Sequence, residues 1–316
     1  MGMPPADAPD APRVGALVEV TAGGRVLRQV VVPTRGAPGD DRELTGARFD
    51  GDALLQCARS ELLWVDPRTL QVQRRLSHPL CYDVHDALVR DGALVVSCTG
   101  HDSIVWLDAD GRLLRHHWLR EPSGSTANFA TTYGPAVGEV NDWRDVPTAR
   151  TKPHQHHPNQ VFLRQGALWV TLFEDRLARE VDGPGVIELP EGAPHDGCER
   201  QGLHWFTTVT GHVIAVDPRT LQRVVHLDLN RLLGDERLLG WCRGVEVDGD
   251  TLYVGFTMLR VGRHRELLRR LVRGRSGEKL PSRVVAFDWR RGVVLGETVV
   301  GGPAGGAIYA INASRT

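Results

Sequence analysis

The residues with the clearest chemical potential in this sequence form a histidine-rich tract near the middle of the chain. Residues 154, 156 and 157 are histidines, so three of the chain's 13 histidines lie within four positions. Imidazole is the commonest protein ligand of metal ions, and short His-rich tracts are a known metal-binding composition. An exposed polar loop without any ligand explains the tract equally well. The tract therefore raises a metal site as one hypothesis and does not establish it.

The last histidine of the tract belongs to a pattern that recurs along the chain. His85, His157 and His195 each stand just before a similar strand-like segment, and Cys242 takes the same position in a fourth copy. Imidazole and thiolate are both ligands of transition metals. We predict that the three histidines bind one metal ion and that Cys242 is a fourth ligand or a nearby thiol. The alternatives are histidines that cap strands and a cysteine that is a small buried residue.

Three further residues are candidates for contact with a substrate. His101 and His212 fall in the loops between the second and third strands of their repeats, where they would form a ring outside the metal ligands. Arg243 follows the cysteine of the recurring pattern, and a guanidinium matches the geometry of a substrate carboxylate. We predict a catalytic or substrate-binding role for all three. A structural ion pair explains Arg243 as well.

The neighbours of these candidates have two interpretations each. His154 and His156 are predicted to be solvated or to support the metal ligands from outside. Asp86 and Asp196 directly follow predicted ligands, so they either orient an imidazole or cap a turn.

The element that must position these residues is a repeated unit of four short strands. The hexapeptide Asp-Pro-Arg-Thr-Leu-Gln occurs at 66–71 and again at 217–222, each time between two apolar segments. Internal repeats of roughly 40 residues with four strands each are typical of β-propeller blades. The sequence thus predicts an all-β fold with a single propeller, whose inner strands begin near Arg48, His85, His157, His195 and Cys242.

We predict six blades, of which the sixth is shared by the two ends of the chain. Residues 14–32 have the pattern of outer strands, and residues 306–311 have that of an inner strand. Joining them would remove the open sheet edges. Five or seven blades remain alternatives. In this scheme residues 1–13 are a disordered N-terminus and residues 14–316 form the propeller domain.

Two insertions interrupt the repeat, at residues 120–153 and 258–282. Both enter from loop types that open on the face with the histidines, so we predict that they form a lid over the channel mouth. The second has apolar residues at helical spacing, and its alternative role is an oligomer contact. The helical stripe consists of Leu267, Leu268, Leu271 and Val272.

Composition limits the partners of the chain. Its 316 residues are 41% hydrophobic and 24% charged, with a net charge of −1, which argues against nucleic acid as a partner. No apolar segment is long enough to span a bilayer, and the N-terminus lacks the pattern of a signal peptide. Five cysteines without disulfide-scaffold density indicate reduced thiols and a cytoplasmic location. The oligomeric state is left open.

Parts of two repeats resemble the gluconolactonase and regucalcin family. The similar segments are Pro194-His195-Asp196-Gly197, Gly202-Leu203-His204-Trp205, the run 210–218, and His157-Pro158-Asn159. The resemblance implies a six-bladed propeller with a divalent cation in the central channel. That family holds its metal with Glu, Asn and Asp oxygens, whereas the matching positions here are largely histidines. Imidazoles suit iron, copper, zinc or nickel better than calcium or magnesium.

These observations predict a metal-dependent enzyme that acts on a small organic molecule. Three neutral imidazoles leave open positions on the metal, so we favour a non-haem iron or copper oxidoreductase. Carotenoid cleavage oxygenases and copper-containing methanethiol oxidases are similar in architecture and use His-bound metals. Zinc or manganese are alternative ions. A metal-dependent lactonase-like hydrolase or lyase is the second hypothesis, and a non-catalytic interaction scaffold is the third.

Overall fold

The computed structural model describes residues 14–35, 43–119, 141–147, 151–152, 154–234, 239–258, 280–300 and 307–313. The predicted disordered N-terminus and the predicted helical stripe of the second insertion lie outside these residues. The chain divides into two compact units. Of the described residues, those within 14–17 and 29–186 form the N-terminal unit, and those within 18–28 and 187–313 form the C-terminal unit.

Short antiparallel strands dominate the described residues and form five sheets of four strands each. This arrangement is a β-propeller with almost no helix, which confirms the predicted fold class. Each of these sheets is a blade, and its strands follow one another in chain order. Among the described residues, no helix is long and apolar enough to cross a membrane.

The strand bounds follow the predicted repeats closely. A two-stranded sheet contains β1 (Gly15–Val20) and β2 (Val26–Val32). Blade 1 contains β3 (Leu44–Asp50), β4 (Ala53–Ala58), β5 (Glu61–Asp66) and β6 (Gln71–Leu76). Blade 2 contains β7 (Val84–Arg90), β8 (Ala93–Cys98), β9 (Ser103–Leu107) and β10 (Leu113–Trp118). Blade 3 contains β11 (Pro158–Arg164), β12 (Ala167–Leu172), β13 (Leu177–Glu180) and β14 (Val186–Glu188).

The remaining two blades have the same order. Blade 4 contains β15 (Pro194–Arg200), β16 (Leu203–Thr208), β17 (His212–Val216) and β18 (Arg223–Asp228). A five-residue helix, α1 (Leu229–Leu233), follows it. Blade 5 contains β19 (Trp241–Asp248), β20 (Thr251–Thr257), β21 (Arg283–Asp288) and β22 (Val293–Val299).

The prediction of six blades is wrong, because the described residues form five. The strands β1 and β2 pair with each other in a sheet of only two strands. The sequence predicts residues 306–311 as the missing inner strand, but the described residues 307–313 contain no strand. A side chain holds this segment instead of a backbone ladder: Thr257 Oγ1 accepts the N–H of Ile308 at 3.0 Å and donates to its carbonyl at 3.2 Å.

The apolar cores lie between neighbouring blades within each unit. In the N-terminal unit, Leu55 and Cys57 of blade 1 pack with Val96 and Val105 of blade 2. In the C-terminal unit, Trp205 of blade 4 packs in the same cluster as Phe256 of blade 5. These side chains alternate along their strands with residues of the opposite face, as the period of two in a β-strand requires. Burial against the next blade therefore stabilises each sheet.

Every inner strand is irregular near its start. The register shifts between Leu44 and Ala47, Val84 and Asp86, Pro158 and Val161, Pro194 and Gly197, and Arg243 and Val245. Such bulges bend a strand and redirect a side chain away from the regular alternation. The four predicted metal ligands lie at these bulges or directly before them. Their positions are thus set by local strand irregularity as well as by the repeat.

The repeated hexapeptide forms the same turn in both copies. The Asp66 carboxylate accepts the N–H of Arg68 at 2.8 Å, and the Asp217 carboxylate accepts that of Arg219 at 2.7 Å. Leu70 and Leu221 both have a positive φ, at 56° and 61°. Asp caps such turns well, because its short side chain reaches the backbone two residues later.

Candidate functional site

The histidine tract is fixed to blade 2 by one buried carboxylate. The Asp102 side chain accepts the main-chain N–H groups of Gln155, His156 and His157 at 2.8, 3.1 and 2.7 Å. Asp102 is fully buried, and it ends a short 3-10 turn with a φ of 52°. Hydrogen bonds to an ionised acceptor are stronger than neutral ones. The main chain of the tract is therefore held in one position relative to blade 2.

Three imidazoles of the N-terminal unit meet at this tract. The Nδ1 atoms of His154 and His157 are 2.8 Å apart, and their ring centroids are 4.8 Å apart. The rings of His85 and His157 are in edge contact, with centroids 5.3 Å apart. Phe173 packs against the ring of His157 at 5.0 Å. The structure thus brings together two of the predicted ligands, His85 and His157, and adds His154.

Asp83 supplies negative charge beside these imidazoles. Its Oδ1 lies 3.9 Å from Nε2 of His85 and 3.8 Å from the guanidinium of Arg59. Burial alone would raise the pKa of this carboxyl, but Arg59, His85, Lys152 and His154 together lower it below its ordinary value. Asp83 therefore stays ionised and favours positive charge at its neighbours. A metal cation is one such charge.

The described part of the first insertion packs beside this cluster. Trp143 is almost fully buried, and its ring contacts Tyr82 and His101 at 5.3 and 5.1 Å. The Tyr82 hydroxyl donates to the carbonyl of Pro147 and lies 3.2 Å from Thr151 Oγ1. Thr151 in turn lies 3.5 Å from His154 Nε2. Residues 141–147 and 151–152 thus form part of the wall around the imidazoles, while most of the predicted lid lies outside the described residues.

His101, a predicted substrate contact, is fully buried in blade 2. Its Nε2 lies 3.0 Å from the carbonyl of Leu80, and its Nδ1 lies 2.8 Å from Ser103 Oγ. A carbonyl can only accept, so Nε2 carries the proton and Ser103 donates to Nδ1. Ser103 then accepts from Nε2 of His116 at 3.0 Å. Burial lowers the pKa of His116 to about 4, so the hydrogen-bonded series of His101, Ser103 and His116 is neutral. The predicted contact between His101 and substrate stays a prediction.

His195 lies in the C-terminal unit and is nearly buried. Its Nδ1 is 2.7 Å from Oδ2 of Asp196, and the same oxygen accepts the N–H of Gly244 at 2.8 Å. Asp196 therefore orients an imidazole and also connects β15 to β19. Asp86, the corresponding residue of blade 2, pairs with Arg48 and accepts the N–H of Val161 at 3.0 Å. Asp196 thus fits the first interpretation, whereas both carboxylates also join the inner strands of two blades, which neither interpretation included.

Cys242 lies in the apolar core of blades 4 and 5. Its side chain has no exposed surface, and burial raises the pKa of its thiol far above the ordinary value. The thiolate is the form that binds metals, and an apolar environment disfavours it. This environment is that of a packing residue, which was the alternative interpretation, and the role of Cys242 as a ligand or nearby thiol stays a prediction.

The two remaining predicted site residues also lie in the C-terminal unit. His212 begins β17, where its Nδ1 is 3.2 Å from Nε2 of His226. Burial lowers the pKa of His212, and His226 acts in the same direction. Arg243 is half-buried in β19, with its guanidinium carbon over the rings of Trp241 and Tyr309. The predicted roles of His212 and Arg243 in substrate binding stay predictions.

The imidazoles of His85, His154 and His157 have the chemistry of metal ligands, but they are not arranged as a complete ligand set. Within the described ranges, no group of three or more His, Cys, Asp or Glu side chains already has the spacing of a ligand set. Binding by His85, His154 and His157 would therefore require their imidazoles to rotate. The recurring pattern of residues just before strands did not identify His154 as a ligand, because His154 does not directly precede a strand. It also missed Asp102, which contacts the tract from more than 50 residues away, and Asp83, which lies beside His85 and Arg59.

Comparison with known proteins supports the fold and leaves the function open. No protein-family model matches the chain, and no curated protein sequence does. A protein of unknown function from Bacteroides caccae is similar in structure, with a TM-score of 0.55 and 14% identity over 90% of this chain and 93% of that protein. Dihydro-heme d1 dehydrogenase NirN, in complex with DHE, has a TM-score of 0.41 and 12% identity over 90% of this chain and 53% of NirN. The first likeness concerns fold alone, and no argument rests on the second. The gluconolactonase and regucalcin family is not confirmed.

Proposed function

We propose that this protein is a metal-dependent enzyme that acts on a small organic molecule, with His85, His154 and His157 as the metal ligands. The observation that carries the proposal is that the His157 imidazole contacts those of both His85 and His154, with His154 and His157 on a main-chain segment anchored by a buried carboxylate. The ligand set differs from the sequence-based prediction, because His154 replaces His195 and Cys242.

The types of the neighbouring residues support a transition metal over calcium or magnesium. Neutral imidazole nitrogens suit iron, copper, zinc and nickel, whereas hard cations take oxygen ligands. A bound iron or copper ion would supply redox chemistry, which is the reaction class we favour. The chain's own groups would hold the site: Asp102 fixes the tract, and Asp83 favours the positive charge beside His85. Outer groups of this kind orient metal ligands and tune their basicity.

Metal analysis tests the ligand set directly. The protein would be purified without a His-tag, loaded separately with Fe(II), Cu(II) and Zn(II), and measured for bound metal and affinity. We expect one ion per chain, and we expect His85→Ala, His154→Ala and His157→Ala each to weaken binding by about 10-fold to 100-fold or more. His117→Ala is the matched control, because that imidazole lies on the outer strand β10. Unchanged affinity in all three site variants would show that the assignment is wrong.

A second measurement separates redox chemistry from Lewis-acid chemistry. Fe(II)-loaded protein would be exposed to nitric oxide, which reports open coordination positions through an iron–nitrosyl EPR signal, and then tested for oxygen uptake with ascorbate as reductant. A signal and an uptake that both disappear in His157→Ala would support the oxidoreductase. Retained metal without either response would favour the hydrolase or lyase.

A further inference from the structure

A second cluster with chemical potential surrounds Arg243 in the C-terminal unit, and its interpretation does not rest on the proposed function. The guanidinium carbon of Arg243 lies 4.8 Å from the centre of the Trp241 ring and 4.7 Å from that of Tyr309. All three side chains are half-buried, so part of each remains in contact with solvent. The guanidinium thus contacts both rings. Its N–H donors lie in the plane of the group.

Arg243 differs from the comparable arginines in the partners of its guanidinium. In the described part of the same unit, the other buried or half-buried arginines each pair with a glutamate. These are Arg28 with Glu19, Arg200 with Glu246, and Arg283 with Glu297. The guanidinium of Arg243 lies over two rings and has no carboxylate partner among the described residues, and its buried Nε has no hydrogen-bond partner there.

A buried donor without an acceptor costs free energy, so this arrangement calls for an anion. Leaving a buried polar group unpaired costs about 1–3 kcal/mol, and more for a charged one. Cation–π contacts stabilise the charge but do not accept the in-plane hydrogen bonds. An anion that approaches along the edge of the guanidinium would accept them in pairs, as carboxylates do.

The surroundings of Arg243 are rigid and favour a singly charged ligand. The main-chain N–H of Gly244 donates to Asp196, which also holds His195. A Cβ at position 244 would approach Ile311 Cγ1 to 3.1 Å, and the φ of 71° is one that glycine adopts without strain. The ring of His195 lies 6.0 Å from that of Tyr309. One guanidinium carries a single positive charge, which matches a singly charged carboxylate better than a doubly charged phosphate.

We infer that Arg243, between Trp241 and Tyr309, binds the carboxylate of a small organic acid. The guanidinium supplies a two-pronged hydrogen bond, and the two rings supply an apolar wall for the carbon skeleton of the ligand. Asp196 fixes the main chain at Gly244, so the geometry exists before the ligand arrives. Preorganisation of this kind lowers the entropy cost of binding.

Calorimetric titration of the full chain tests this inference with acetate, succinate and benzoate as probes. We expect at least one of these acids to bind wild-type protein with an affinity that falls as salt screens the charge. Arg243→Met, which keeps the length and removes the charge, should weaken that binding by about tenfold or more. Arg243→Lys should weaken it less, because lysine keeps the charge and loses the fork.

Matched controls separate a carboxylate site from general attraction of anions. Arg219→Gln removes an exposed guanidinium of the same unit and should leave the affinity unchanged. Acetamide, succinamide and benzamide have similar shapes without charge and should bind at least about tenfold more weakly than the acids. Tighter binding of inorganic phosphate than of every acid would overturn the inference. So would affinities for all three acids that are the same in wild type and in both Arg243 variants.

Discussion

The metal-site hypothesis depends on Asp102, although Asp102 is not one of the proposed metal ligands. Its carboxylate is fully buried and accepts three consecutive main-chain N–H groups of the histidine tract, at 2.8, 3.1 and 2.7 Å. Without Asp102, these three N–H groups would lack an acceptor, because the segment is irregular. Because one side chain satisfies all of them, the tract keeps a fixed path without any regular secondary structure. The contact between His154 and His157 depends on that path.

We predict that Asp102→Ala destabilises the protein by about 3 kcal/mol or more, since each buried N–H that loses its acceptor costs about 1–3 kcal/mol. Asp102→Asn keeps one acceptor oxygen and tolerates the left-handed backbone, so its cost should be smaller. Urea denaturation followed by circular dichroism measures both. Metal affinity should fall in the same order, because the imidazoles lose their common anchor.

Asp91→Ala is the matched control for this prediction. Asp91 has nearly the same left-handed conformation, with a φ of 50°, but its side chain is 88% exposed. This substitution removes only an exposed ion pair with Arg90 besides the change in backbone preference, so we expect a small change in the free energy of unfolding. Equal destabilisation by Asp91→Ala and Asp102→Ala would contradict the anchoring role of the Asp102 carboxylate.

Neighbouring inner strands are joined by buried carboxylates as well as by apolar packing. Asp86 of β7 accepts the N–H of Val161 in β11 and pairs with Arg48 of β3, whose guanidinium also donates to the Val161 carbonyl at 2.8 Å. One ion pair thus connects three blades of the N-terminal unit. Gly46 of β3 lies so close to the main chain of His85 that any side chain there would collide with the His85 carbonyl.

We predict that Arg48→Met destabilises the protein by about 3–5 kcal/mol near neutral pH, because it leaves Asp86 buried without its cation. Burial already raises the pKa of Asp86, and only Arg48 and hydrogen bonds oppose this. Without Arg48 the folded-state pKa rises further above the unfolded value. The folded state then binds the proton more readily, so the penalty should shrink as the pH falls through that pKa.

Urea denaturation near neutral pH and near pH 5 tests the sign of this effect. Arg68→Met is the control, since Arg68 is 87% exposed and its ion pair with Asp66 should contribute less than about 1 kcal/mol. A penalty for Arg48→Met that is independent of pH would point to lost packing instead of an uncompensated charge. Asp86→Asn should partly restore the stability of the Arg48 variant for the same electrostatic reason.

The distribution of thiols gives a measure of how well the fold excludes solvent. All five cysteines are free, and four of them are buried, with Cys198 half-buried. Burial raises the pKa of Cys81 to about 11 and that of Cys198 to about 12. Burial likewise raises the pKa values of Cys57, Cys98 and Cys242 well above the ordinary value. Thiolates, which are the reactive form, are therefore scarce in the folded protein.

We predict that an aromatic disulfide reagent labels less than about one thiol per chain in folded protein near pH 8, because the sulfur atoms are both protonated and inaccessible. In urea all five thiols should react. The labelling rate at intermediate urea concentrations then follows the opening of the blades. Rapid labelling of two or more thiols without denaturant would contradict the described packing.

The repeat made much of the fold predictable. Alternation of apolar residues, the Asp-Pro-Arg-Thr-Leu-Gln turn and the recurring strand starts indicated a β-propeller and the positions of all five inner strands. These features are local, since a turn such as 66–71 depends on hydrogen bonds within four residues. The number of blades, in contrast, does not depend on local features. Whether 306–311 pairs with another strand depends on its neighbours in space, so its apolar pattern predicted a strand that residues 307–311 do not form.

The identity of the candidate site depended on contacts between distant parts of the chain. The sequence identified His85 and His157 because both stand at the start of an inner strand, where the blade period places them. It left His154 either in solvent or in a supporting position, and the structure buries His154 beside His157. The cause is Asp102, more than 50 residues away, which holds the tract through main-chain N–H groups that every sequence possesses. Cys242 obeys the same period as the histidines, but packing with Phe256 and Val254 places its thiol in an apolar core. Periodicity therefore specifies which positions lead into a blade, and packing around each side chain specifies which of them can reach a ligand.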